Sequence, residues 1–257
     1  MIAPLLEVRQ LMKRFGAVVA TAALDLTIMP GEIHAVIGPN GAGKTTLIGQ
    51  LAGEVQPDAG HIHFAGRDIT HLPVHRRAAL GLARSFQITS IFPGFSALDN
   101  VALAVQAHAG HSFHFWRPAH TLTQVRLRAL EALQCVGLVE RAHMLAAQLS
   151  HGEQRQLEIA MALATTPKLL LLDEPTAGMG PEESARMVGL LRDLRGQYTI
   201  LLVEHDMDAV FALADRITVL VDGQAIATGT ADTIRANAEV RRAYLGEEDT
   251  EVGRAAC

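Results

Sequence analysis

Hydrophobic and polar positions change their period several times along this chain, and the changes predict an α/β protein. From Leu5 to Ile28 the pattern reads as strands, with Leu24, Leu26 and Ile28 alternating with Asp25 and Thr27 up to the Pro30-Gly31 turn. Ile62 and Phe64 alternate in the same way before Ala65-Gly66. The chain is therefore expected to return to one small, half-exposed antiparallel sheet, with the apolar strand Ile33–Ile37 inserted within it. Helical spacing takes over from Pro73 to Ala83, again from a Ser96 N-cap through Val101–Val105, and from Leu122 to Leu138. These last stretches predict a helical subdomain. After Ser150 the apolar positions Leu157, Ala160, Met161 and Ala164 give another helix, and Pro181–Leu194 is amphipathic. Leu169–Leu172 is an uninterrupted apolar run, as expected of a strand buried on both faces of a parallel sheet, and Tyr198–Val203 reads as a second buried strand. Arg216–Val221 and Gln224–Thr228 flank Asp222-Gly223, a strong hairpin signal, and a helix is expected from about Thr230 to Leu245. Glu247, Glu248, Asp249 and Glu251 mark 247–257 as an acidic, solvated tail.

The stretch Gly38-Pro39-Asn40-Gly41-Ala42-Gly43-Lys44-Thr45-Thr46 lies between the strand Ile33–Ile37 and a helix carrying Leu47, Ile48 and Leu51. Strand, glycine-rich loop and helix, with Lys-Thr at this offset, make a phosphate cradle. The glycines let successive backbone N–H groups converge on an oxyanion, and the helix adds its positive end. Lys44 brings a compact charge to the outer phosphates, and the Thr45 hydroxyl is placed to ligate Mg²⁺. A glycine turn preceding a helix by chance would not place Lys-Thr there.

Composition narrows the partners. The 257 residues are 49% apolar, enough for a full core. Twenty-two basic against 27 acidic residues give −5 with no long basic run, so nucleic acid is not an expected partner. The start, Met1 to Glu7, lacks a signal-peptide pattern, and no run approaches the roughly 18 apolar residues of a membrane span, so a soluble, intracellular chain is expected. Cys135 and Cys257 suit neither a disulfide framework nor a cysteine metal site, and Cys135 is expected in the core.

Several residues remain open between chemistry and packing. Phe15, beside Gly16, could stack on a flat base or be ordinary core. Segment 106–121 gathers His108, His111, His114, Phe113, Phe115 and the only tryptophan, Trp116, without a carboxylate or cysteine; a packing or docking patch suits it better than a metal site. Ser150 and Glu153 have capping-box spacing, yet a helix start with Gly152 beside it can also receive phosphate. Leu169–Leu172 ends in Asp173-Glu174, two carboxylates at the C-terminal end of a central strand, where ligands bind in open α/β folds. Tyr198–Val203 ends in Glu204-His205, and His205 alone would read as a solvent-facing strand end.

Taken together and in this order, these motifs resemble the ATP-binding cassette (ABC) family of transport ATPases along nearly the whole chain. Gly38–Thr46 looks like Walker A, Gln87 the Q-loop glutamine, Leu149–Glu153 the signature motif, Leu169–Glu174 Walker B and His205 the switch histidine, with Phe15 in the place of the adenine-stacking aromatic. The resemblance implies a P-loop NTPase fold: a mixed RecA-like core sheet with an antiparallel β subdomain, about 1–90 and 162–246, and an inserted helical subdomain, about 91–161. It implies ATP and Mg²⁺, with Thr45, Gln87 and Asp173 at the metal and Glu174, His205 and Gln87 at the reacting water and γ-phosphate. Ser150, Gly152 and Glu153 would complete the site in trans, on a second ATPase chain that is identical or a paralogue. Two departures stand out, a signature reading Leu-Ser-His-Gly-Glu and Ala177-Gly178-Met179-Gly180 without the usual D-loop aspartate.

Within the family, Glu204–Met207, Ala177–Met179, Ala243-Tyr244-Leu245-Gly246-Glu247 and segment 106–121 look like the ATPases of branched-chain amino acid importers. That resemblance implies integral membrane permeases as partners, a periplasmic solute-binding protein as an indirect one, and a place on the inner, cytoplasmic face of the cell membrane. Urea or amide importers, lipopolysaccharide-export ATPases and soluble ABC scaffolds of iron–sulfur assembly are the alternatives.

Overall fold

The computed structural model describes residues 3–84, 91–108 and 119–245. The chain divides into two compact units, residues 1–77 with 195–257, and residues 78–194. The first begins with β1 (Leu6–Phe15), β2 (Val18–Ile28), β3 (Ile33–Ile37), α1 (Lys44–Ala52), β4 (Ala59–Phe64) and β5 (Arg67–Asp68). Helix α2 (Val74–Ala79) leads to β6 (Leu82–Arg84), α3 (Ala97–His108), α4 (Ala119–Cys135), α5 (His151–Leu163), β7 (Leu169–Asp173) and α6 (Pro181–Leu194) of the second. The chain then returns through β8 (Thr199–Val203), α7 (Met207–Leu213), β9 (Arg216–Val221), β10 (Gln224–Gly229) and α8 (Ala231–Ala236).

The alternating strands form the small antiparallel sheet, in the order β2-β1-β4-β5. Val8 stands between Leu26 and Ile62, and Leu6 between Ile28 and Phe64. One face is thus apolar and buried while Asp25 and Thr27 stay outside. Strand β3 is not part of this sheet, contrary to the expectation from the sequence. It pairs in parallel with β8 and β9, Ala35 lying beside Leu202 and Ile217. All five of its residues are buried, and a strand without a polar face has no place in a sheet with one wet side. Its one polar residue, His34, is satisfied by Thr218 Oγ1 at 2.8 Å and Glu32 Oε1 at 3.1 Å. Helices α7 and α8 cover β3 and β9 through Val210 and Ile234, packed with Ala35, Ile37, Ile217 and Val219. In the second unit β6 and β7 pair in parallel, and α3, α4 and α5 pack on one another.

Three expected helices end elsewhere. The run from Pro73 stops at Ala79, because Gly81 turns to φ +100° and the chain becomes β6 at Leu82. The helix expected to reach Leu138 ends at Cys135, followed by Gly137 at φ +75°. Cys135 is exposed rather than core, since the inward face of α4 is set by Ala129, Ala132, Leu133 and Val136. The helix expected from Thr230 to Leu245 breaks at Asn237, whose extended backbone and side chain cap a new turn at Glu239 N and Val240 N. The aromatic and histidine segment 109–118, Gln87 and the tail 247–257 lie outside the described residues. No helix among the described residues is long and apolar enough to cross a membrane.

The sequence pattern gives no hint of the side chain that terminates α1. Arg77 is fully buried and donates to Gln50 O at 2.6 Å, Leu51 O and Thr70 O at 2.8 Å, and Leu72 O at 2.8 Å. The guanidinium fork thus meets two of the last α1 carbonyls, where the helix dipole favours a cation. Burial lowers its pKa to about 10, still far above neutrality, so the group stays charged. Replacing Arg77 by alanine removes a donor from four carbonyls, of which Gln50 O keeps Gly53 N, and should lower the unfolding free energy by about 3 kcal/mol in urea titrations. Arg77→Lys keeps the charge but not the fork, and should recover less than half of that loss.

Candidate active site

The loop from Gly38 to Thr46 is shaped by backbone crowding. A Cβ at Gly38 would lie 2.0 Å from Leu220 O, and one at Gly43 1.9 Å from Ala20 O, with φ +157° and +98° respectively. No side chain fits at either position. The hairpin turn between β9 and β10 supports the loop from behind, Gly223 N donating to Ala42 O at 3.0 Å and Ala22 N to Gly223 O at 2.9 Å. Gly43 supplies no side-chain cap to α1, so the first N–H groups of that helix face the loop mouth without one. Lys44 is buried, and its ammonium donates to Gly38 O at 2.7 Å and Pro39 O at 3.0 Å. Asn40, Gly41 and Thr45 are exposed, with Pro39 and Thr46 half-buried. The loop therefore combines backbone donors, an exposed hydroxyl and an ammonium held against its own carbonyls, a set suited to phosphates.

Two further predicted residues belong to the same unit. Phe15 is 52% exposed, which removes the core alternative. The Lys13 ammonium stands 5.4 Å from its ring centroid and is tethered to Asp58 Oδ1 at 2.8 Å. That bond, with a second from Arg14 N at 2.8 Å, holds the Asp58 carboxyl below its ordinary value. His205 follows β8 with its side chain 59% exposed, while Glu204 is buried and accepts His205 N at 3.0 Å.

The carboxylates lie in the second unit. Asp173 ends β7 and is buried, and Arg84 Nη2 donates to its Oδ2 at 3.3 Å. The contact follows from register, since Arg84 sits beside Leu171 in the parallel pair β6-β7. Only that pairing could have revealed Arg84, because it is 89 residues away in sequence. Glu174 has φ +48°, a left-handed conformation that costs about 1 kcal/mol or more in a residue with a side chain. The Asp173 carboxylate is a hard oxygen donor whose chemistry suits Mg²⁺.

At the start of α5 the capping box is complete. Ser150 Oγ accepts Glu153 N at 3.2 Å, and Glu153 Oε2 accepts Ser150 N at 2.9 Å. The other Glu153 oxygen accepts Arg141 Nε at 3.2 Å. The two departures in the motifs meet here: the His151 ring stands 3.7 Å from where a Cβ at Gly178 would lie. Each unit thus gathers its own set, Phe15, the loop and His205 in one, and Asp173, Glu174 and the α5 start in the other. Gln87 lies outside the described residues.

Comparison with known proteins agrees with this geometry. The sequence profile of the ABC transporter family matches residues 21–177, and that of the branched-chain amino acid ATP-binding cassette transporter matches residues 226–250. The chain is 39% identical to the high-affinity branched-chain amino acid transport ATP-binding protein BraF of Pseudomonas aeruginosa, over 95% of this chain and 98% of the relative. It is 40% identical to the corresponding LivG protein of Escherichia coli, with the same coverage. Among solved structures, the ADP conformation of an ATP-binding cassette of an ABC transporter superposes with a TM-score of 0.81 at 26% identity, covering 95% of this chain and 99% of that one.

The loop geometry sets a clear expectation for Gly43→Ala. The added methyl group would meet the Ala20 carbonyl in a left-handed backbone, so stability should fall by about 2 kcal/mol or more in urea titrations. A variant as stable as the parent would show that the loop relaxes away from β2.

Proposed function

The chain belongs to the ABC transporter family, and on that footing we propose that it powers uptake of branched-chain or other hydrophobic amino acids through a membrane permease. As a member of the family it is an ATPase, and it binds and hydrolyses ATP. Support for the importer reading comes from similarity that runs nearly end to end and includes the C-terminal segment. Transferring a phosphoryl group to water requires balanced phosphate charge, a water in line, and an acceptor for its proton.

The phosphates lie against the N–H groups of Gly38–Thr46, including those of Pro39's neighbours Asn40, Gly41, Ala42 and Gly43, and against the start of α1. Lys44 exchanges its two carbonyl partners for phosphate oxygens, and Phe15 stacks on the base. Thr45 and Asp173, with Gln87, are the residues that would hold Mg²⁺, which when bound balances phosphate charge. Glu174 accepts the proton of the attacking water. His205 reaches the γ-phosphate from the end of β8. Ser150, Gly152 and Glu153 of a second chain, identical or paralogous, complete the site in trans, and Arg141 offsets the Glu153 charge there. Closure on ATP and reopening after hydrolysis then shift the pair between two states.

In this reading a core of about 1–90 and 162–246 holds the nucleotide, and the helical subdomain of about 91–161 receives the permease, with the acidic tail beyond. The protein is peripheral on the inner face of the membrane, and a solute-binding protein acts on it only through the permease. The Glu174→Gln protein should lose about 100-fold or more in turnover while accumulating an ATP-bound dimer, measured by phosphate release and sedimentation. Cells carrying it should lose uptake of labelled leucine. Full turnover would remove Glu174 from the proton-accepting role, and unchanged leucine uptake would remove the solute assignment.

A further inference from the structure

The start of α5 already holds an oxyanion, and it belongs to the protein. Ser150 Oγ donates to Glu183 Oε1 at 3.2 Å. Glu183 lies in the first turn of α6. Its carboxylate lies over Gly152: a Cβ there would stand 3.0 Å from Oε1 and 3.1 Å from the carboxyl carbon. A side chain at Gly152 would crowd this carboxylate by a few tenths of an ångström. Around it is a cavity of about 500 Å³ that Arg141 and Arg186 also line. Arg141 is paired with Glu153, which lines the same cavity, so Arg186, the Ser150 hydroxyl and the helix N-terminus are the features there that receive an anion. The carboxylate in it answers the same features that a phosphate would.

Resting on the reading that Ser150 and Gly152 receive phosphate from a partner chain, we propose that Glu183 is a stand-in for that phosphate which must leave before the dimer closes. The Ser150 hydroxyl has one proton to give, so Glu183 and a phosphate cannot both accept it, and with Glu153 already at this helix start a further anion adds repulsion. Glu183 therefore raises the ATP concentration at which two chains associate. It is a positioning residue: in the open chain it holds the Ser150 hydroxyl, and it touches no reacting atom.

The test uses the full chain carrying Glu174→Gln, so that ATP is bound without turnover, and follows dimer formation by sedimentation across an ATP titration. Adding Glu183→Gln, which keeps the shape and removes the charge, should lower the ATP needed for half-maximal association by about threefold to tenfold, the worth of one charge at a helix end and one hydrogen bond. Glu183→Ala should move it in the same direction, and thermal unfolding of both variants checks that they fold. An unchanged or raised ATP requirement in folded variants overturns the proposal. Ser150→Ala in the same background reports separately on the underlying reading, since it should weaken association. If it closes like its parent, the trans contact fails and the proposal fails with it. If it weakens association while Glu183→Gln changes nothing, only the proposal fails.

Discussion

Everything in this structure depends on holding bare backbone N–H groups still around a point where phosphate charge will sit. Side chains cannot do this, because a Cβ at Gly38 or Gly43 would overlap the carbonyls of Leu220 and Ala20. The loop therefore has little packing of its own and borrows rigidity from its neighbours. Strand β3, buried along its whole length, fixes one end. Helix α1 fixes the other, and Arg77 holds the far end of that helix through the Gln50 and Leu51 carbonyls and ties it to those of Thr70 and Leu72. The Asp222-Gly223 turn adds a backbone hydrogen bond from behind. A single buried cation thus works at the opposite end of the helix from the anion-receiving one.

Charge placement explains much of the second unit. Asp173 faces Arg84, Glu153 faces Arg141, and the α5 start faces Glu183. In these three cases a group reserved for nucleotide or metal in the proposed mechanism already has a partner within its own unit. Burying Asp173 alone would cost several kcal/mol. Binding is then an exchange of partners, and the identity of the internal partner tunes it.

Much of this was legible from residue order, for physical reasons. Walker A is recognisable because phosphate binding demands glycines and a lysine at fixed offsets, and the buried strands because both faces are covered. The Ser150–Glu153 capping box is a local motif and forms as its spacing predicts. What escaped was set by distant contacts or single backbone angles. Arg77 and Arg84 look like ordinary surface cations until α1 and β7 are brought to them. The helix break at Asn237 arises because its side chain caps the next turn instead of facing solvent. Glu183 is one of two acids in the first turn of α6, and only its contact with Ser150, 33 residues away, sets it apart. Phe15 was balanced between core and surface, and its exposure decides it.

The central claim is that each ATP site is built from the loop of one chain and the α5 start of another. Mixing a Lys44→Ala chain with a Ser150→Arg chain tests it directly, because each alone has lost half of both sites. A mixed dimer would keep one intact site, formed by the loop of the second chain and the α5 start of the first. The account predicts that the mixture retains one ATP per mixed dimer and regains hydrolysis, while neither chain alone does so. A mixture as inactive as its components would contradict it.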